Sequence, residues 1–416
     1  MTSSHAILVV NVRRAPHEAR AALRTIWRLG FRVAMLTDNP AVAASGLVDD
    51  YEVVDTYDHD AALAAARRLA GRTELAGIVT WADRDVGLVA KLGEALGLPA
   101  LSREAARRAR DKFAMKDALA HLEGVVPRHA QATSLEEARA CLDRLGCPAI
   151  LKPIGGNGSK GVIRIDDPGD LDAAWTFTSD VAQATRDRIF AEFPDRFLLE
   201  EYLDGPEISV EGWTAAGQVA IAAVTGKASE LPYHVEYRHL VPAELTPQQD
   251  REVRTKTELL VKTLGFDNCG FHVEAKLTPD GFRLVEVAAR LGGGYINSHL
   301  VPLALGIDVY AATIRAACGE FVPAEPTHVR PVCAGVRYVL ARQPGRFAAL
   351  RGSDEVLTDP DVQHFFVEIA RGTPVALPPA DFLTFRSAAI VATHPDRAAL
   401  ESTLERLAER CEIVLD

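Results

Sequence analysis

Apolar and polar positions alternate in blocks along the first 110 residues. Residues 6–11 and 32–37 are short apolar runs, and 51–55 and 76–80 repeat the pattern. Between them, 17–29 and the alanine-rich 60–70 carry apolar residues at helical spacing. Short apolar runs alternating with helix-period segments predict a parallel, Rossmann-like sheet with right-handed crossovers. No G-x-G-x-x-G follows the first run, so a nicotinamide cofactor is not expected.

The pattern changes past residue 110. A helical run spans 103–116, a strand is expected at 148–153, and another resumes at 162–165 after the glycine-rich loop 154–161. Strand signals then dominate at 197–201 and 207–212, with one long helix at 248–264. Beyond about 320, strands at 335–340, 365–369 and 387–392 precede an amphipathic helix at 396–410. The expected division is 1–110, 111–196, 197–320 and 321–416, the last a small α/β cap. Neither repeats nor low-complexity linkers interrupt it.

Two period-two runs carry the clearest chemistry. In 271–277 the positions of His272, Glu274 and Lys276 share one face, and in 284–287 Glu286 points away from its apolar neighbours. Thr278-Pro-Asp-Gly281 joins the runs, and a Pro-Asp-Gly turn favours an antiparallel hairpin. Glu274 and Glu286 then lie side by side. Two close carboxylates repel unless a cation or proton sits between them, and oxygen-only ligands suit magnesium. Arg290 follows Glu286 where the strand yields to Gly292–Gly294, placed to clamp a phosphoryl group. The same pattern also describes an exposed hairpin with solvated charges.

Lys152 ends a strand ahead of Gly155, Gly156, Gly158, Ser159 and Gly161. Backbone N–H groups bared by such glycines form an anion nest. The loop lacks P-loop spacing, and Asn157 rules out a nucleophile elbow around Ser159. Taken alone, such a loop is more often a hairpin turn than a phosphate cradle. His234-x-Glu236-x-x-His239 could be a zinc cluster, but on a strand its second histidine faces the opposite side. Asp83 and Asp85 follow a parallel strand, where ligands often bind, although a helix N-cap explains Asp83 as well. Trp175 and Trp213 read as core or rim.

With these motifs in order, the chain resembles the ATP-grasp carboxylate–amine ligases from about residue 1 to about 400, most specifically between Lys112 and Arg290. The resemblance implies an ATP-grasp fold of the α/β (α+β) class, using ATP and Mg2+, with Mn2+ as an alternative ion. It implies Lys112 and Lys152 as phosphate-contacting lysines, and the loop with Gly156, Gly158, Ser159 and Gly161 as the flap. Glu200, Tyr202 and Leu203 would lie against adenine, and Glu207 would hold the ribose hydroxyls. Glu274 and Glu286 match the metal ligands and Arg290 the arginine that steadies the acyl-phosphate transition state. The superfamily's usual Glu-x-Asn-x-Arg is altered, with Ala288 at the asparagine position. Small residues there are a feature of the L-amino acid ligases that make dipeptides. By similarity to that group, Glu236 would hold an α-amino group and His239 a carboxylate, while Gly294 leaves room for a large substrate side chain. His272 reads as a supporting or structural residue. Carboxyphosphate formation, transfer to a thiol and ATP binding without turnover are the alternatives.

Composition narrows the partners. At 416 residues with 48% hydrophobic and 25% charged residues, the chain is ordinary for a globular enzyme of several domains. A formal net charge of −11 argues against a nucleic-acid binder. No window approaches the ~20 apolar residues of a membrane span. Six scattered cysteines without a CxxC pair fit reduced thiols. The expectation is a cytoplasmic protein acting on a small carboxylate and an amine, with a homodimer as one arrangement.

Overall fold

The computed structural model describes residues 5–13, 15–183, 185, 187–328 and 332–416. Strands β1 (His5–Val10), β2 (Arg32–Thr37), β3 (Asp50–Val53) and β4 (Glu74–Val79) form a parallel sheet in the order β3-β2-β1-β4. Apolar residues such as Ile7, Leu8, Val33 and Leu36 are buried on both faces, as strands covered by helices on each side require. The expected Rossmann-like sheet is therefore present.

The basic run 103–116 is not one helix. It breaks at Asp111 into Arg103–Arg110 and Lys112–Ala118. Asp111 adopts extended backbone (φ −95°, ψ 104°), and its carboxylate accepts from the N–H groups of Phe113 and Ala114. An aspartate competes well for a helix N-terminus, and this cap ends one helix by starting another. The new axis buries Lys112 and Lys116 instead of leaving them on a solvated face.

A second sheet is antiparallel, in the order β5-β8-β6-β7, from β5 (His129–Ala132), β6 (Ala149–Pro153), β7 (Ile163–Ile165) and β8 (Phe197–Glu201). The glycine-rich loop is the connection between β6 and β7.

The largest sheet has eight strands: β9 (Glu207–Ala215), β10 (Gln218–Glu230), β11 (Val235–Val241), β12 (Cys269–Thr278), β13 (Gly281–Ala288), β14 (Cys333–Leu340), β16 (Val362–Val367) and β18 (Arg386–His394). Its order is β13-β12-β9-β10-β11-β14-β18-β16. One face packs on helix Pro247–Leu264, started by a Thr246/Gln249 capping box and stopped by left-handed Gly265. Val253, Leu260 and Val261 of that helix meet Ile208, Val210, Phe271, Val273, Leu284 and Val287. With those residues turned to the helix, strand alternation leaves Glu207, Ser209, Glu211, His272, Glu274 and Lys276 on the other face.

The C-terminal strands do not stand apart as a cap with its own main sheet. β14 pairs antiparallel with β11, and β18 and β16 continue the order. Among the described residues, only β15 (Gly345–Arg351), β17 (Pro374–Val375) and β19 (Glu412–Leu415) form a separate three-stranded sheet. Helix Arg397–Arg410 covers the extension through Leu400, Leu404 and Leu407.

Candidate active site

A cleft open to solvent, with about 1060 Å³ of empty space, lies between the flap and the polar face of the large sheet. Lys112, Lys152, Gly156, Gly158, Ser159, Glu200, Tyr202, Leu203, Glu207, Glu236, Glu274, Glu286 and Arg290 line it. Gly161, His239 and Gly294 are not part of that lining.

Glu274 and Glu286 are direct cross-strand partners in the β12–β13 ladder, as the Pro-Asp-Gly turn predicted. The neighbouring pairs on β9 are Glu274 with Ser209, His272 with Glu211, and Lys276 with Glu207. One face thus presents a grid of acids and bases rather than an isolated hairpin.

The lysines enter from the opposite wall. Lys112 Nζ lies 3.1 Å from Glu286 and donates to the Gly156 carbonyl of the flap at 2.5 Å. Lys152 and Lys116 bracket Glu200 at 2.7 Å and 3.0 Å. The Glu200 side chain is therefore held between two ammonium groups. Burial pulls Lys116 down to about 8 against the pull of Glu200. Burial would raise Glu200, but the two lysines outweigh it and keep the carboxyl below its usual range. Tyr202 is clasped by Arg164, whose guanidinium carbon lies 4.1 Å from the ring centroid.

Arg290 donates to Asp83 Oδ2 at 2.6 Å and to its neighbour's carbonyl, Leu291 O, at 3.0 Å. Asn157 of the flap donates to the same Asp83 oxygen at 3.2 Å. Burial would raise the Asp83 carboxyl, yet the charge and hydrogen bond of Arg290 hold it well below the carboxylate range. Asp83 makes no N-cap hydrogen bond. It ties the N-terminal domain to both flap and hairpin. Asp85, by contrast, accepts from Asn11 at 2.9 Å inside its own domain. Arg13 adds a second tie, reaching the Leu291 carbonyl.

Glu236 and His239 do meet, although three residues apart on a regular strand they would face opposite ways. A bulge pairs Ala228 with Arg238 and Ser229 with Glu236, leaving Tyr237 as the extra residue. His239 Nε2 then lies 2.9 Å from Glu236 Oε2, and His239 Nδ1 lies 3.2 Å from the Gly294 carbonyl. The room attributed to Gly294 is already filled. A Cβ there would stand 2.4 Å from His239 Cε1, and the backbone is left-handed at φ +68°. Gly294 makes space for His239, not for a substrate side chain.

Glu211 escaped the motif reading. Fully buried in β9, it accepts from Gly292 N at 2.9 Å, Asn297 Nδ2 at 2.7 Å and Ser209 Oγ at 3.3 Å, and also meets His272 Nδ1. The other ring nitrogen, His272 Nε2, lies 3.0 Å from Glu274 Oε1. Burial would lower His272, but the two carboxylates lift it to about 9. Burial would raise Glu211, and His272 with Asn297 and Gly292 holds it down at about 2. The only sequence signal was an acid recurring in the alternation of Glu207-Ile-Ser-Val-Glu211.

Two antiparallel sheets enclosing paired carboxylates, two flanking lysines and a glycine-rich flap, beside a parallel N-terminal sheet, fit the ATP-grasp fold. Family models match in the corresponding order: an ATP-grasp N-terminal domain at residues 27–100, an ATP-grasp domain at 145–298, and an L-amino acid ligase C-terminal domain 2 at 337–416. The chain therefore carries ATP-grasp domains followed by an L-amino acid ligase C-terminal domain, the domain set found in carbon–nitrogen ligases. It is 30% identical to the alanine–anticapsin ligase of Bacillus subtilis (strain 168) over 243 residues, 55% of this chain and 51% of that protein. Carnosine synthase 1 of Homo sapiens is 28% identical over 317 residues, 72% of this chain but 38% of that protein. The chain therefore spans about half or less of these two curated relatives. The crystal structure of an L-amino acid ligase from Bacillus licheniformis superposes with a TM-score of 0.84 at 21% identity, covering 100% of both chains.

Proposed function

We propose that the chain joins a carboxylic acid, in the first instance an amino acid, to an amine through an acyl phosphate, yielding ADP and phosphate. One observation supports this above the others: Glu274 and Glu286 are ladder partners facing a cavity whose other walls carry Lys112, Lys152 and Arg290. Oxygen-only donors that keep open positions suit Mg2+, whose shell is completed by water and phosphate, so Ala288 in place of a third ligand is tolerable. Bound there, the ion would neutralise phosphate charge.

The chain's own groups supply the rest. Lys112 and Lys152 counter phosphate charge, and the flap lays its backbone N–H groups over the phosphates and excludes water. Tyr202 and Leu203 flank the base, and Glu207 takes the ribose hydroxyls. Arg290, oriented by Asp83, offers its fork to the transferring phosphoryl group. Glu236 receives an α-amino group, while His239, outside the cavity lining with both ring nitrogens engaged by Glu236 and the Gly294 carbonyl, braces Glu236 instead of holding the carboxylate expected of it. The division into 1–110, 111–196, 197–320 and 321–416, the last two sharing one main sheet, belongs to the same proposal with a cytoplasmic location and a homodimer, resting on the resemblance. Among the described residues, no helix is long and apolar enough to cross a membrane.

The test is ADP release from ATP over pairwise mixtures of amino acids, with the product mass read by mass spectrometry. A condensed product one water lighter than its two precursors is expected. ADP release that needs one carboxylate and no amine would overturn the proposal.

A further inference from the structure

At the centre of the grid sits a lysine that no step above uses. Lys227 projects from β10, the register partner of Glu207 on one side and His239 on the other. Its Nζ lies 3.2 Å from Glu207 and 2.7 Å from Glu274, and it is ion-paired with Glu236 as well. The side chain is only 1% exposed. One ligand oxygen from each of the three carboxylates lies within 4.8 Å of the others, a spacing at which oxygens can share a metal ion. An ammonium has three N–H donors, and here each has a carboxylate. No donor is left over for a phosphate, so Lys227 is not a third phosphate-contacting lysine.

The three carboxylates come from β9, β11 and β12, and in the function proposed above they serve the ribose, the amino acid and the metal. We propose that Lys227 is a positioning residue: a resident cation that fixes Glu207, Glu236 and Glu274 relative to one another and keeps free divalent ions out of the triad they form. Metal then enters beside it, at Glu274 and Glu286 with the nucleotide, and the ribose and amino-acid sites are held to one common point. The inference rests on that functional reading for the ligand each glutamate serves, but not for the cation exclusion.

Mn2+ binding to the ligand-free protein, followed by electron paramagnetic resonance, tests it without substrates. Lys227→Met is expected to gain an Mn2+ site at least tenfold tighter than any in the parent, and adding Glu236→Gln to it is expected to abolish the gain. Lys227→Arg retains the charge and is expected to exclude Mn2+ as the parent does. In ADP-release assays, Lys227→Met is expected to raise KM for ATP and for the amino acid together, at least tenfold each, with Lys227→Arg partly restoring both. Unchanged Mn2+ binding in folded Lys227→Met, or a new tight Mn2+ site in Lys227→Arg, overturns the proposal. If the parent releases no ADP with any amino-acid pair, the proposed function fails while the Mn2+ result still decides the role of Lys227.

Discussion

Glu211 offers the sharpest quantitative test of the site's construction. Replacing it with glutamine keeps size but removes charge and converts one oxygen to an NH2 group. Gly292 N–H and Asn297 Nδ2 both address Oε2, and neither can become an acceptor there. The amide oxygen must therefore stay on that side and its NH2 must face His272 and Ser209. Those two can adapt, His272 by giving up its Nδ1 proton to become a neutral acceptor and Ser209 by rotating its hydroxyl. The loss is then the charge assistance of the bonds, about 1.5–3 kcal/mol. Alanine is worse, because it strands the Gly292 and Asn297 donors without an acceptor at about 1–3 kcal/mol each. Urea denaturation should rank parent, Glu211→Gln and Glu211→Ala in that order, the alanine variant losing about 3–5 kcal/mol of the ~5–15 typical of a folded domain. ADP release should fall in both variants, since His272 loses the partner that aims it at Glu274. Parent-like stability in Glu211→Ala would refute the network.

Other outcomes are equally specific. Asp83 has a folded-state pKa below the unfolded value of about 3.9, so its contribution is complete above that value and is lost as pH falls through the folded one. Asp83→Asn should flatten the decline of the urea midpoint below about pH 4, and parallel parent and variant curves would exclude the pair as a source of acid lability. Arg290→Lys keeps a charge opposite Asp83 but loses the planar fork, and kcat for ADP release should fall about 10²–10³-fold. Gly294→Ala forces a side chain into left-handed backbone, costing about 1–2 kcal/mol, and drives His239 from Glu236. Its KM for the amino acid should rise more than its KM for ATP.

What could be read from the chain follows from the range of the interactions. The Glu274–Glu286 pairing and the flap are local: a period of two, a three-residue turn signal and a run of glycines each lie within about fifteen residues, while the parallel sheet showed through the regular alternation of apolar runs with helix-period segments. Asp111 was also local, yet the helical run around it masked a cap that could have been recognised. Glu211, Lys227 and Asp83 were out of reach for a different reason. Each has a partner far along the chain, such as Lys227 with Glu274 and Asp83 with Arg290, which only register and domain packing bring together. The Glu236–His239 contact depends on one extra residue in a ladder, which alternation alone assigns to the wrong face.

The continuous eight-stranded sheet bears on how this chain can be recombined with its relatives. Residues 333–416 look exchangeable, since a family model matches nearly that segment alone. Yet β14 shields the outer edge of β11, the strand that carries Glu236 and His239, and Tyr338 of β14 sets its ring edge-on 6.3 Å from the His239 ring. A truncation before β14 would bare an unpaired edge beside the pocket, an invitation to intermolecular strand pairing. A chimera joined there inherits the donor's register, and a slip of one residue would turn Tyr338 to the opposite face. Crossover points for shuffling this ligase therefore belong before Glu207, so that the whole sheet travels as a single cassette.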